Sequence, residues 1–246
     1  MTRAEIQFIR SLADKRTRDA ERLFIAEGRK LVEEIAASHL HIRNIYTTRK
    51  EFMGDNVEVV TDKDMERISQ LKSASDTLAV VEQPRHKLDV RSLGERLTLA
   101  LDGVQNPGNL GTIIRLADWF GVEDIVCSSE CADCYNPKVL QATMGAILRV
   151  RVHYVSDLAN VLRSAAECGK PIYGTLLDGD NIYDATLDNR GIIVMGNEGR
   201  GVSEECRATL SHKLLIPPYP ADAPTSESLN VAMATGIILA EFRRRA

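Results

Sequence analysis

From Leu97 onward the chain alternates short apolar runs with longer stretches of helical periodicity, and that alternation admits few folds. The runs lie at 97–101, 125–127, 150–154, 172–176, 192–195 and 214–216. Such a pattern predicts a parallel sheet with helices on both faces. At 246 residues, 44% of them hydrophobic and 27% charged, the chain has the size of one large or two modest soluble domains. The longest apolar runs, such as 231–240, are too short to cross a bilayer, and the start Met1-Thr2-Arg3-Ala4-Glu5 lacks the apolar core of a signal peptide. The expectation is a cytoplasmic protein with no membrane partner. Five cysteines, an odd number, then read as reduced thiols.

The first part of the chain has a different texture. Ile6, Ile9, Leu12 and Ala13 recur at helical spacing, 23–26 reads as a short buried strand, and 29–37 as an amphipathic helix. Further strand-like runs at 42–47, 57–60 and 78–81 complete a small α/β sandwich. Residues 82–96 are polar, with Pro84 and Gly94 and no sustained apolar run. A domain boundary belongs there, giving domains 1–84 and 85–246. The net charge of −4 hides an uneven distribution: residues 1–50 hold eleven Lys/Arg against seven Asp/Glu. Arg16, Arg18 and Arg22, within the run Arg10 to Lys30, can therefore form a basic face and are candidate contacts to the phosphates of a nucleic acid. A solvated helix surface explains the same charges equally well.

Three polar blocks sit where an apolar run meets a helical pattern, the position at which open α/β sheets build their sites. The first is Asp102-Gly103-Val104-Gln105-Asn106-Pro107-Gly108-Asn109-Leu110-Gly111, leading into a helix with Gly121 as its C-terminal stop. Its glycines form neither G-x-G-x-x-G nor a phosphate-binding loop. Asn109 can be the helix cap. Arg115 rises from an apolar helix, among Ile113, Ile114, Leu116 and Ala117, and an ion pair is its structural explanation. The second block, Gly196-Asn197-Glu198-Gly199-Arg200-Gly201, follows an apolar strand. Three glycines in six residues allow close backbone approach or positive φ, and a carboxylate between two of them is poorly explained by structure alone. The third begins at Lys213-Leu214-Leu215-Ile216-Pro217 and returns at Ser228-Leu229-Asn230 before a last helix. Ser-x-Asn is also an ordinary helix cap.

Cys127, Cys131 and Cys134 have the C-x3-C-x2-C spacing that can hold three irons of a cluster. Cys127 ends an apolar strand, Asp133 stands where an aromatic residue usually precedes the last cysteine, and the remaining 112 residues are too few for the barrel such enzymes need. Incidental cysteines are the stronger reading. The five histidines show no metal spacing, and no Gly-x-Ser-x-Gly occurs, so neither a metal centre nor a hydrolase triad is expected.

Together the three blocks resemble the signature motifs of the SpoU (TrmH-like) RNA ribose 2'-O-methyltransferases of the SPOUT superfamily. The segment Phe24-Ile25-Ala26-Glu27-Gly28-Arg29-Lys30-Leu31-Val32 similarly resembles the L30e-like domain that often precedes the catalytic domain. The resemblance implies an α/β protein: a small L30e-like α/β N-terminal domain that binds RNA, then a parallel-sheet SPOUT domain with a C-terminal trefoil knot over roughly 190–246. It implies S-adenosylmethionine as methyl donor without a metal, structured RNA (rRNA or tRNA) as partner, and a homodimer that uses the C-terminal helix. Catalytic positions carry over to Asn109, Arg115, Glu198, Ser228 and Asn230, and donor-binding positions to Gly196, Ile216 and Leu229. The chain departs from the family at Ile216-Pro217-Pro218, where Ile-Pro-Met is usual, and in about four extra residues before Ser228. An RNA-binding protein that kept the fold without catalysis is the alternative.

Overall fold

The computed structural model describes residues 1–52, 54–220 and 226–245. In chain order its first elements are α1 (Arg3–Ser11), α2 (Lys15–Glu21), β1 (Leu23–Glu27), α3 (Arg29–Ala36), β2 (Ile42–Thr47), β3 (Val57–Val59), α4 (Asp62–Ile68) and β4 (Thr77–Glu82). Then come β5 (Leu97–Leu101), α5 (Pro107–Trp119), β6 (Asp124–Ser128), α6 (Pro137–Thr143), β7 (Arg151–Val155) and α7 (Leu158–Glu167). The last are β8 (Ile172–Asn181), β9 (Gly191–Met195), α8 (Glu204–Arg207), β10 (His212–Leu215) and α9 (Val231–Arg244). They form two compact units, Met1–Arg85 with Asp133–Leu148, and His86–Ala132 with Arg149–Ala246.

In the first unit the sheet order is β1-β4-β2-β3, with β4 antiparallel to β1 and β2, and β3 parallel to β2. Successive side chains of a strand point to opposite faces. Leu23 and Ile25 accordingly join Ile6, Ile9 and Ile68 in one core, while Phe24 and Ala26 join Val32, Ile35 and Leu140 in another. α1 starts in a capping box, Thr2 accepting from the Glu5 amide and Glu5 from the Thr2 amide.

Leu140 exposes a difference from the contiguous domains expected: segment 133–148 groups with the first unit although it lies beyond β5 in sequence. Its apolar residues complete the Phe24 side of that sheet, and Tyr135 stacks on Phe24 with ring centroids 4.8 Å apart. Arg18 is a second difference. It was a candidate RNA contact, yet it is 2% exposed. Its guanidinium lies 2.5 Å from the Asp133 carboxylate and donates to the carbonyls of Leu12 and Ala13 at 2.8 and 2.7 Å. A buried cation with four of its five N–H donors so occupied is a structural tie and is not placed to meet a phosphate. Arg16 and Arg22 remain exposed.

The second unit is a six-stranded sheet in the order β10-β8-β9-β5-β6-β7, every pair parallel. Its central strands β9 and β5 are buried along their whole length, which explains why they are continuously apolar and not alternating. The chain moves from β5 outward through β6 to β7, crosses to β8, and returns to insert β9 beside β5. The direction of winding reverses between β5 and β9, so their carboxyl ends, where Leu101 pairs with Met195, flank the topological switch point. β8 runs five residues past the apolar run that announced it, and its pairing jumps from Gly174 opposite Lys213 to Asp180 opposite Leu214.

Candidate active site

Both chain segments that leave the switch point are held by their own side chains. After β5, Asn106 caps α5: its Oδ1 accepts from the amides of Gly108 at 2.8 Å and Asn109 at 3.1 Å, and Pro107 follows at the first helical position. Asn109 is therefore not the cap, and its amide side chain is left for other partners. After β9, Asn197 and Gly201 exchange backbone hydrogen bonds of 2.9 Å. The Asn197 side chain donates to the Gly103 carbonyl at 2.7 Å and accepts from the amides of Gly199 and Arg200 at 2.9 and 3.0 Å. The Ser203 amide donates to Asp102 at 2.7 Å, a further tie between the two exits.

On this frame three elements deliver one side chain each. Asn230 Nδ2 donates to Asn109 Oδ1 at 3.0 Å, and Asn109 Nδ2 donates to Glu198 Oε1 at 2.9 Å. Glu198 also accepts from the amides of Asn106 at 3.2 Å and Gln105 at 3.4 Å. Partial burial pushes its carboxyl up, but the bonds from Asn109, Asn106 and Gln105 outweigh that and hold it below the usual carboxylate range. Glu198 is thus an ionised, nearly saturated acceptor that orients the loop after β5. Among the described residues the second N–H of each of the two asparagine amides has no partner and is available to a hydroxyl.

Asn230 is a helix cap as well, accepting from the amides of Ala232 and Met233 at 3.0 and 3.3 Å. The cap uses Oδ1, which leaves Nδ2 to reach Asn109. Arg115 lies six residues after Asn109, about 240° further round α5. It is exposed, and among the described residues its guanidinium makes neither an ion pair nor a hydrogen bond. The ion pair that would have explained it is absent there. Ser228 and Leu229 are exposed and Ile216 is half-buried. Residues 221–225, part of the extended loop expected to touch the donor, lie outside the described residues.

Gly196 is required for a reason other than ligand approach. A Cβ on it would stand 2.3 Å from the Gly201 carbonyl carbon and 2.4 Å from the Val202 nitrogen, so the turn's own backbone excludes a side chain. Gln105, Asn106, Asn197 and Asp102 all hold the site and were not singled out from the sequence. The signal for Asn106 was present in Asn-Pro at a helix start. The signal for the others was not, since their partners are about a hundred residues away. Cys127, Cys131 and Cys134 are buried, and no group of three or more His, Cys, Asp or Glu able to hold a metal occurs among the described residues. The Cys131 thiol is drawn down to about 7 by Cys127 and Ser128 against the effect of burial.

A parallel sheet with polar side chains converging on the carboxyl ends of its switch-point strands defines an α/β protein built to bind and act on a ligand there. Residues 96–240 match the SpoU rRNA Methylase family, and the chain belongs to it. Residues 3–85 match the MRM3-like substrate binding domain. The chain is 29% identical over 241 residues to the 23S rRNA (guanosine(2553)-2'-O)-methyltransferase of Bacillus subtilis, covering 95% of this chain and 94% of that protein. An uncharacterized tRNA/rRNA methyltransferase of a Synechocystis species is 35% identical over 151 residues, 61% of this chain, which spans only 54% of that relative. Among solved structures, a candidate RNA methyltransferase of the TrmH family from Porphyromonas gingivalis superposes with a TM-score of 0.90 at 38% identity, over 100% of this chain and 99% of that one. The AdoMet-bound rRNA methyltransferase of Sinorhizobium meliloti gives 0.87 at 29% identity, over 100% and 96%.

Proposed function

We infer that the protein transfers a methyl group from S-adenosylmethionine to a ribose 2'-oxygen in structured RNA, with ribosomal RNA the favoured substrate. The observation that carries the reading is the chain Asn230–Asn109–Glu198, which joins all three motif segments at the switch point. The full-length likeness to a 23S rRNA ribose methyltransferase supports it.

The residues present fit the donor. Leu229, 50% exposed before α9, is an uncovered apolar side chain at one of the positions expected to hold it, suited to a purine ring. The turn 196–201 and the exit of β10 at Ile216 contribute backbone. When bound, S-adenosylmethionine would supply an electrophilic methyl group whose carbon–sulfur bond breaks as the oxygen–carbon bond forms, the proton of the ribose hydroxyl leaving to water. In-line transfer then depends on how the ribose hydroxyl is held. The spare N–H groups of Asn109 and Asn230 orient that hydroxyl, and Ser228, two residues before Asn230, adds a hydroxyl at the same chain entry. Glu198 is too well satisfied to act as a base near neutral pH and works by fixing Asn109. Arg115, exposed and without an ion pair among the described residues, holds a phosphate of the RNA and reduces the electrostatic cost of charge developing on the oxygen.

The first unit, with Arg16 and Arg22 exposed, positions the RNA. The trefoil knot over 190–246 and a homodimer joined through α9 belong to the same proposal; α9 and α5 pack together in the second unit and carry Met233 and Trp119, 63% and 80% exposed. Among the described residues no helix is long and apolar enough to cross a membrane, in keeping with action in the cytoplasm. Comparing ribose methylation of ribosomal and transfer RNA from cells with and without the gene tests the reading. Loss of one defined 2'-O-methyl mark is expected, and its restoration in vitro by the purified protein with S-adenosylmethionine. An unchanged methylation map overturns it and leaves the inactive RNA-binding protein in its place.

A further inference from the structure

Beside the transfer site lies a cavity of about 500 Å³, within the range of roughly 300–1,000 Å³ usual for small-ligand sites. It opens at the carboxyl ends of β5, β6, β7 and β9, and Asp102, Glu130, Asp157, Arg200 and Glu205 are among its walls. None of the expected donor-binding positions Gly196, Ile216 and Leu229 lines it. The turn after β9 serves both places: Glu198 reaches the transfer site, while Asn197, Arg200 and Gly201 line the cavity.

Four carboxylates against one guanidinium make this a poor place for a phosphate. The occupant must present hydrogen-bond donors. A nucleotide whose 2'-oxygen sits at Asn109 and Asn230 carries its base on the neighbouring sugar carbon, one sugar's width away. Once turned out of its stack, that base has the cavity next to it. One wall is the ion pair of Arg200 and Glu130, 2.7 Å apart and exposed at 70% and 59%, with Arg200 on the same turn as Glu198. Glu130 Oε2 also lies by Gly103, at 3.7 Å from where a Cβ would be, and so beside the loop that feeds Asn106 and Asn109. A carboxylate next to a guanidinium offers two acceptors followed by donors. Guanine presents the complement along its pairing edge, N1–H and N2–H2 next to the O6 acceptor. Adenine, cytosine and uracil each set an acceptor against the carboxylate, which repels it.

We propose that this cavity receives the base of the nucleotide being methylated and selects guanine, Glu130 accepting from N1–H and N2–H2 and Arg200 donating to O6. The proposal rests on the reading of the protein as an RNA ribose methyltransferase, and the experiment separates the two. The full chain is incubated with methyl-labelled S-adenosylmethionine and ribosomal RNA from cells lacking the gene, and the RNA is digested to nucleosides. Label in 2'-O-methylguanosine is expected. Label in another nucleoside overturns the base assignment and keeps the enzyme; no label in any nucleoside overturns the underlying reading and the base assignment with it. A fragment around the mapped site is then made with guanosine or inosine, which lacks the N2 amino group. The wild-type protein should favour guanosine by about tenfold or more in kcat/KM. Glu130→Ala should lose that preference with its Kd for S-adenosylmethionine unchanged, and Arg200→Ala should raise KM for the fragment more than it lowers kcat. If Glu130→Ala still prefers guanosine to inosine as the wild type does, the assignment fails, whatever its overall rate.

Discussion

Asn230 and Asn109, 121 residues apart, are joined by a side-chain hydrogen bond of 3.0 Å, and each of them also sits in the first turn of a helix. The start of α9 and the start of α5 are thereby locked to one another at the switch point. A helix start is a rigid place from which to present an amide, because its own backbone bonds fix the side chain's origin.

The two tasks of Asn230 can be separated. Asn230→Asp keeps an oxygen for the amides of Ala232 and Met233 but cannot donate to Asn109, whereas Asn230→Ala loses both. We expect Asn230→Ala to cost about 1 kcal/mol of stability and Asn230→Asp much less. Both should lose methyl transfer by about 10²-fold or more. Thermal melts beside transfer assays will show whether activity falls in Asn230→Asp while the melt stays.

Glu198 sets a pH expectation. Its folded value lies below the ordinary 4.5, so its contribution is fully present above that value and is lost only as pH falls through the lower folded one. The transfer rate should therefore show no ionisation of Glu198 between pH 5 and 8. Glu198→Gln should depress the rate by a similar factor across that whole interval. A rate profile in which wild type and Glu198→Gln converge at pH 5 would show that the carboxylate titrates in this range.

At the glycine turn, Gly196→Ala and Gly199→Ala should behave differently. The first places a methyl group against the backbone of Gly201 and Val202, and we expect a loss of about 1–3 kcal/mol or more with donor binding lost alongside. The second meets nothing closer than 3.7 Å and should leave stability within about 0.5 kcal/mol. Melting curves and calorimetry with S-adenosylmethionine check both.

Arg18→Ala breaks a buried pair and should destabilise the protein by about 3–5 kcal/mol. Arg16→Ala and Arg22→Ala should leave the melt unchanged. If they contact phosphate, each lowers the salt dependence of RNA affinity by about 0.7 to 0.9 in log–log slope. An unaltered slope in the double variant places the RNA elsewhere.

For Arg115→Ala, methyl transfer should fall by about 10²-fold or more while the Kd for S-adenosylmethionine is unchanged. A parallel loss of donor affinity would assign the arginine to the donor.

Strands and helices were readable because their cause is local. β5 and β9 are uninterrupted apolar runs since both of their faces are covered, and α5 was readable by Gly121, at a φ of 65°, past its end, although its start was sought at Asn109 and lies at Asn106-Pro107. The chemistry-bearing residues were readable only as motifs, through resemblance. That Asn106 and not Asn109 caps α5, and that Arg115 has no ion pair among the described residues, showed only once their surroundings were known. Arg18 shows why: a helical arginine in a basic run looks like surface, and only Asp133, 115 residues on, buries it.

The alternation of strands and helices beyond residue 97 and the three polar blocks at strand ends follow from the sequence alone, because periodicity and apolar runs act over a few residues. Which block meets which, that 133–148 joins the first unit, that Gly196 answers to Gly201, and that Glu130 and Arg200 close one wall of a cavity were decided by tertiary structure. Each of those depends on a partner supplied by the order of strands in a sheet or by packing across it, a distance in space that no local spacing encodes.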